Sequence, residues 1–513
     1  MPRERDDASA RWLGVIGALL GLVAAGVFAW GGTDFCLDDA YIHLAYAKSL
    51  QRGEGFSYNP HDWELGATSP LWTLLLVPLA DRPHTVVAVK TLGVLLHAAC
   101  CGVLPALMRA LAPVAAQTAH TAVLLVPTAL FALHPLLLQG AGSGMEVPLA
   151  TLLLEGVVLL ALREKHGAAA ALAWLAVWTR PEALLFAVLL ALGLALAGAR
   201  RALWIAATSV GALATWVAYC LVVAGQLVPN TFLAKLGQRD AARGLSYLVE
   251  SVLADETWLV GVGGLVLAVL ALRDETRARR AASLPLAIAW ACTLLAIAVS
   301  RGLHPGVLFA MQRYFAVFAF APPAIIGAAL RTRRARDALW LGPAIALLLV
   351  RLPEAHATMR LQERGIAALH TNVALWVGEA LSANSRVLAE GAGALRYFTP
   401  RSQVVLDFLG LNHGGFVHAL RADANLHACL VWLSKPDVAV MPSELLGPMH
   451  ALFRTETLRE LDDPTYAQAE HRWHRQVRVL RILGPTTRLR DACAAIAARR
   501  RRLAPQNGMS SSE

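Results

Sequence analysis

The first two-thirds of the chain is divided into long apolar runs, and several reach the roughly 20 residues that a membrane-crossing helix needs. They fall at about 12–31, 86–107, 118–137, 146–162, 168–179, 183–198, 203–224, 258–272, 284–299, 314–330 and 338–351. The pattern predicts a polytopic α-helical membrane protein with about eleven transmembrane helices. Composition agrees, with 57% hydrophobic and 16% charged residues, against about 45–50% and about 25% in a soluble globular protein. Arg3, Arg5 and Arg11 precede the first run, which is longer than a signal-peptide core, so it is kept as a helix.

The net charge of +10 does not point to nucleic acid, because the basic residues sit in short clusters between apolar runs. With the N-terminus cytoplasmic, the inside loops hold Arg109, then Arg163 and Lys165, then Arg200 and Arg201. Next come Arg273, Arg277, Arg279 and Arg280, and finally Arg331, Arg333, Arg334 and Arg336. The opposite loops are poorer in Lys and Arg, as the positive-inside rule requires. This orientation needs the short run at 168–179 to be a span, and it places everything after about residue 353 outside.

Three parts are expected: a transmembrane domain over 1–352, an extracytoplasmic α/β domain over 353–498 and a disordered basic, Ser-rich tail over 499–513. Short apolar stretches at Arg386–Glu390, Gln403–Phe408, Asp437–Met441 and Val477–Leu483 read as buried strands. The seven cysteines (36, 100, 101, 220, 292, 429 and 493) have no metal-type spacing and imply no disulfide framework. Cys100 and Cys101 read as core packing.

The strongest local signal is the first outside loop, about residues 32–82. It opens Thr33-Asp34-Phe35-Cys36-Leu37-Asp38-Asp39-Ala40-Tyr41-Ile42-His43. The stretch after the two adjacent carboxylates has the spacing of an amphipathic helix at the membrane interface. Ile42, Tyr46, Ser49 and Leu50 share one face, and His43, Lys48 and Gln51 another. A carboxylate beside the membrane can take the proton of an attacking hydroxyl when the other reactant is held in lipid. Equally, Asp38 or Asp39 can cap the helix, and one can cap while the other reacts.

Further polar groups gather on the same predicted side. Gly142-Ser143-Gly144-Met145-Glu146 opens the fourth span, and Thr179-Arg180-Pro181-Glu182 joins the fifth and sixth. Asn230 and Lys235 follow the seventh, and Met311-Gln312-Arg313-Tyr314 opens the tenth. Singly, each charge reads as well as a structural ion pair or a snorkelling side chain. Together they supply the cations that a phosphate-bearing lipid would need. In the C-terminal part, His413, His418 and His427 lack zinc spacing and read more readily as structural than as acceptor-facing. Gly391-Ala392-Gly393 lacks the spacing of a dinucleotide site.

These residues resemble the GT-C superfamily of membrane glycosyltransferases, and within it the family of mycobacterial terminal arabinofuranosyltransferases. The likeness rests on Asp38-Asp39-Ala40-Tyr41-Ile42, Gly53-x-Gly55, Asn59-Pro60, Glu64 and Thr68-Ser69-Pro70-Leu71-Trp72. It continues through Gly144-Met145-Glu146, Arg180-Pro181-Glu182, Pro229-Asn230-Thr231 and Arg313-Tyr314, and more loosely through Asp407-Phe408-Leu409-Gly410-Leu411. Ala45, where relatives often have Arg, and the Trp63–Ala67 stretch depart from the pattern.

The resemblance implies inverting transfer of a sugar from a polyprenyl-phosphate donor to a cell-envelope glycan or lipid, on the outer face of the cytoplasmic membrane. It makes Asp38 the first candidate for the base and Asp39 the second. Arg180, Lys235, Arg313, Glu146, Asn230, Tyr41 and His43 fall to the donor phosphate. Glu64, Thr68, Asp407 and His413 fall to the acceptor side. It allows a divalent cation, Mg or Ca, at Asp38 and Asp39 without requiring one. A transporter or flippase is the alternative. It predicts discontinuous helices and internal repeats, neither of which is clear in the sequence. A membrane scaffold gives no reason for the charged groups to share one face.

Overall fold

The computed structural model describes residues 2–112, 121–236, 277–301, 313–330, 339, 341–463 and 476–503. Among these, Arg11–Ala29, Thr85–Leu111, Arg200–Ala224 and Arg313–Leu330 are each long and apolar enough to cross a membrane. The chain is a helical membrane protein. The run at 258–272 lies outside the described residues.

Helix α1 (Pro2–Ala29) ends in the first loop, which holds α2 (Asp39–Gln51), the short strands β1 (Ser57–Asn59) and β2 (Asp62–Trp63), and α3 (Pro70–Leu76). Helix α4 (Thr85–Leu111) then runs about 40 Å at 1.5 Å per residue. Gly17 and Gly21 of α1 let the two backbones touch. A Cβ at Gly17 would stand 2.4 Å from the Cys101 carbonyl oxygen, and one at Gly21 2.6 Å from Cys101 Sγ. This small-x-x-x-small seam packs helices by close van der Waals fit, which is what lipid leaves available. Cys100 and Cys101 are buried on this helix.

The run at 118–137 is broken. Helices α5 (Leu125–Ala132) and α6 (Pro135–Gly142) meet at 54°. Pro135 lacks an N–H and restricts the residue before it. His134 takes extended geometry instead, and its Nδ1 accepts from the Leu136 N–H. Helices α7 (Val147–Leu162), α8 (His166–Thr179), α9 (Ala183–Leu196), α10 (Leu203–Ala224), α11 (Asn230–Leu236), α12 (Arg277–Arg301) and α13 (Ala321–Leu330) follow.

Helix α14 (Gly342–Ile366) runs unbroken through Pro353 into one π-helical turn, Ala367–Thr371, and then α15 (Asn372–Ala380). Beyond it lies a five-stranded sheet in the order β4-β3-β5-β7-β6. Its strands are β3 (Arg386–Ala389), β4 (Val404–Asp407), β5 (Val438–Pro442), β6 (Phe453–Asp462) and β7 (Gln476–Pro485). β4, β3 and β5 are parallel, and β7 and β6 are antiparallel additions. Helices α16 (Ala392–Phe398), α17 (Gly414–Ala422), α18 (Ala424–Leu433), α19 (Leu446–Leu452) and α20 (Thr487–Leu503) complete the layer. Side chains alternate across the sheet. Val387 and Ala389 pack with Ile42 and Tyr46 of α2, while Leu388 packs with Phe416, Cys429 and Leu489.

Three sequence expectations change here. Helix α2 does not lie at an interface with a wet face. Tyr41, Leu44 and Ala47 join the bundle core and Ile42 and Tyr46 the sheet core, so both sides are covered. The layer that covers its sheet-side face comes more than 300 residues later in the chain, beyond the reach of local spacing. Cys429 and Cys493 form a disulfide between α18 and α20, a pairing that sequence spacing alone does not reveal. Strand β6 was not anticipated, because its FRTETLRELD sequence is mostly polar and exposed.

Candidate active site

Asp38 occupies the N-cap position of α2 and Asp39 its first helical residue. Successive helical residues project about 100° apart, and here the two carboxylates enter different surroundings.

Asp39 faces the bundle, with its side chain 41% exposed. Its Oδ2 accepts from Arg313 Nη2 at 2.7 Å. Arg313 is buried, and its Nε and Nη1 have no hydrogen-bond partner. The guanidinium groups of Arg180 and Arg313 lie 4.7 and 5.5 Å from the ring centre of Tyr314. Arg180 Nε donates to Glu146 Oε1 at 2.7 Å. Glu146 precedes α7 at its N-cap. The two cations are thus balanced by two carboxylates, as buried charges require.

His43 completes the cluster. Its Nδ1 lies 3.0 Å from Thr73 Oγ1, and Thr73 donates its one hydroxyl proton to the Ser69 carbonyl. Thr73 therefore accepts from His43, which places the His43 proton on Nδ1. Burial pushes the His43 pKa below its ordinary value and outweighs Glu146. The bare Nε2 then faces Glu146 Oε2 at 3.8 Å, a buried acceptor with no donor on it.

Asp38 turns the other way, into the C-terminal layer. Its Oδ2 accepts from the Gly393 N–H at 2.7 Å and its Oδ1 from the Ala394 N–H at 2.8 Å. His370 Nδ1 lies 3.3 Å from Oδ1. Asp38 thus caps a helix, but it is α16 rather than its own. Tyr41 does not reach the cluster either. Its hydroxyl donates to Asp34 Oδ1 at 2.5 Å, and Asp34 Oδ2 accepts from Thr371 Oγ1 at 2.8 Å.

The remaining expected residues form a second group. Glu64 Oε2 accepts from Asn230 Nδ2 at 2.7 Å and from the Gly414 N–H at 2.9 Å, stitching the first loop to α11 and α17. Asn230 therefore holds Glu64. Thr68 is half-buried in the turn before α3. Asp407 is buried and folds back on its own loop, accepting from Leu409 N and from the backbone and side-chain N–H groups of Asn412. Burial pushes its carboxyl up to about 7. His413 caps α17 through Nδ1 and stacks on Phe416. The Lys235 side chain lies outside the described residues.

Asp38 has both oxygens engaged by N–H donors, and Asp39 shares one of its own with Arg313. Among the described residues no three His, Cys, Asp or Glu side chains converge. As a pair, the two aspartates do not fit a shared divalent cation. Asp34, His370 and Thr371 were not anticipated as site residues. Asp34 lay inside the quoted first-loop stretch, whereas nothing in the sequence ties His370 or Thr371 to it.

Comparison with solved structures bears on this arrangement. ArnT from Cupriavidus metallidurans in the apo state superposes with a TM-score of 0.58 at 16% identity, covering 90% of this chain and 97% of that one. The same protein bound to undecaprenyl phosphate gives 0.56 at 14%, with the same coverage. The Archaeoglobus fulgidus oligosaccharyltransferase, tethered to an acceptor peptide containing the NVT sequon, gives 0.54 at 11%, covering 85% of this chain and 69% of that one. The fold is that of the GT-C glycosyltransferases. Residues 357–495 match the family described as a domain of unknown function (DUF8728). No curated protein sequence matches the chain.

Proposed function

We propose that this protein is an inverting membrane glycosyltransferase. It moves a sugar from a polyprenyl-phosphate donor to a hydroxyl of a cell-envelope glycan or lipid, on the extracytoplasmic face of the cytoplasmic membrane. The observation that carries the reading is the Asp39–Arg313 pair: a partly exposed carboxylate beside a buried guanidinium with two nitrogens that have no hydrogen-bond partner. Buried donors without partners call for a ligand or water, and a phosphate suits a guanidinium.

The reaction is a single displacement. The acceptor oxygen attacks the anomeric carbon, and the bond from that carbon to the phosphate oxygen breaks with its electron pair. The acceptor proton passes to Asp39. Arg313, with Arg180 behind it, stabilises the charge left on the polyprenyl phosphate. Phosphate drawing on Arg313 also loosens its hold on Asp39, so donor binding frees the base. Asp39 thereby replaces Asp38 as first candidate, because both oxygens of Asp38 are occupied.

Two features support an extracytoplasmic site. Arg109, Arg163 and Lys165 lie at the helix ends opposite those that carry Lys90, Glu146 and Arg180. The layer packed over the first loop also holds the Cys429–Cys493 disulfide, a bond typical of oxidising compartments. The broken pair α5–α6 is a feature that a transporter or flippase would share.

One assay separates the readings. Purified protein is given labelled polyprenyl-phosphate-sugar and candidate acceptors, and release of polyprenyl phosphate is measured. Transfer by wild type and its loss in Asp39→Asn, at unchanged membrane abundance, supports the enzyme. Movement of the lipid between leaflets without turnover supports the transporter.

A further inference from the structure

We infer that His370 and Thr371 are positioning residues for the first-loop base: one π-helical turn holds Asp38 and Asp34 and so sets where Asp39 stands. This rests on the proposed function, which makes Asp39 the base.

A π-turn is rare and often marks a functional site. Here it puts two consecutive residues onto two carboxylates of one short stretch. Thr371 Oγ1 donates to Asp34 Oδ2 at 2.8 Å, and His370 Nδ1 lies 3.3 Å from Asp38 Oδ1. The remaining oxygen valences are filled as well. Asp34 Oδ1 accepts from the Phe35 N–H and the Tyr41 hydroxyl, and Asp38 accepts from the Gly393 and Ala394 amides. Asp39 follows Asp38 directly, so the residue before the base is held on both oxygens while the base itself stays partly open.

The fit leaves no room for variation. A Cβ on Gly391 would meet the His370 ring at 2.5 Å, and one on Gly393 would meet the Asp38 carbonyl oxygen at 2.2 Å. The clamp also joins separate parts of the fold, since Asp34 and Thr371 are 337 residues apart.

The clamp is ionisable. The His370 side chain is 8% exposed, and it faces Asp38 at the start of α2, Asp34 in the loop before it and Glu390 after β3. Burial is the largest single effect and pushes its pKa down, but Asp38, Glu390 and Asp34 together outweigh it and leave it above the ordinary value. The charged pair is therefore lost as pH rises through the raised His370 pKa.

The test uses full-length protein in nanodiscs with labelled polyprenyl-phosphate-sugar, measuring kcat and donor KM across pH. His370→Ala is expected to lower kcat about 100-fold, the scale of a 1 Å misplacement of a reacting group. Donor KM stays unchanged and the alkaline fall in kcat disappears. His370→Gln, which keeps a hydrogen bond without the charge, returns kcat towards wild type and still lacks the alkaline fall. A wild-type kcat and pH profile in His370→Ala overturns the inference. So does an equal loss in Ala and Gln accompanied by a raised KM. Should His370→Ala fail to fold, Thr371→Val decides by the same kcat-against-KM split. If wild type itself releases no polyprenyl phosphate, the proposed function falls, and with it the base to be positioned. If wild type turns over while the variants match it, only the positioning role falls.

Discussion

Two polar clusters meet at the start of α2, and they differ in how completely they are satisfied. On the layer side, Asp34 and Asp38 have every carboxylate oxygen engaged by an amide, hydroxyl or imidazole partner. On the bundle side, Arg313 keeps two buried nitrogens without partners and Glu146 one oxygen. A satisfied network fixes geometry; an unsatisfied one has capacity left for something that arrives. Two carboxylates one residue apart are divided in this way, one between backbone amides and one beside a guanidinium.

The sharpest way to break the comparison is to neutralise each carboxylate in turn. Asp39→Asn should lower transfer by at least about 100-fold, the usual floor for losing a general base. Asp38→Asn should leave a measurable rate. The reverse order, measured as polyprenyl phosphate release, would return the base to Asp38. The next largest effect concerns the layer alone. Cys429→Ser with Cys493→Ser should cost about 2–4 kcal/mol of the layer's stability, seen as a lower unfolding midpoint in non-reducing conditions. The bundle should be unaffected. Arg313→Lys keeps the charge but loses the fork. Donor KM should rise about 10-fold or more, the value of one charged hydrogen bond, and an unchanged KM would remove Arg313 from the phosphate.

Taken per pH unit, the smallest effect is a slope in stability. Asp407 holds its proton to about pH 7 in the folded chain, whereas an unfolded Asp loses it near about pH 4. Between these values the folded state binds the extra proton, so stability falls as pH rises, by at most about 1.4 kcal/mol per pH unit. Asp407→Asn should flatten that slope in thermal melts taken from pH 4 to 8.

Much of this was legible in the sequence. Apolar length marked the bundle, and short apolar stretches marked β3, β4, β5 and β7. The convergence of Glu146, Arg180, Arg313 and His43 followed from reading them on one side of the membrane. The division between Asp38 and Asp39 was not legible, because it depends on a 100° rotation at a helix start whose exact residue no propensity fixes. Tyr41 and Asn230 were assigned by motif, yet each found a nearer partner in Asp34 and Glu64. His370 and Thr371 carry no motif at all. Their role comes from a backbone irregularity and from contacts across the whole length of the chain.

The glycine seam between α1 and α4 bears on how the molecule assembles. Helix α1 shows Trp12, Val15, Leu19, Val23 and Val27 outward, so within the bilayer it rides on a single stripe. Where that stripe ends, Arg360 Nη2 grips the Phe28 and Trp30 carbonyls, and Lys90, Glu363 and Arg360 crowd Gly32. The acidic loop begins two residues later. Its departure point is therefore chosen in the lipid phase, by how deeply the first helix seats against its neighbour, and a single added methyl group at Gly17 would be felt at the far end as a loop paid out from the wrong height.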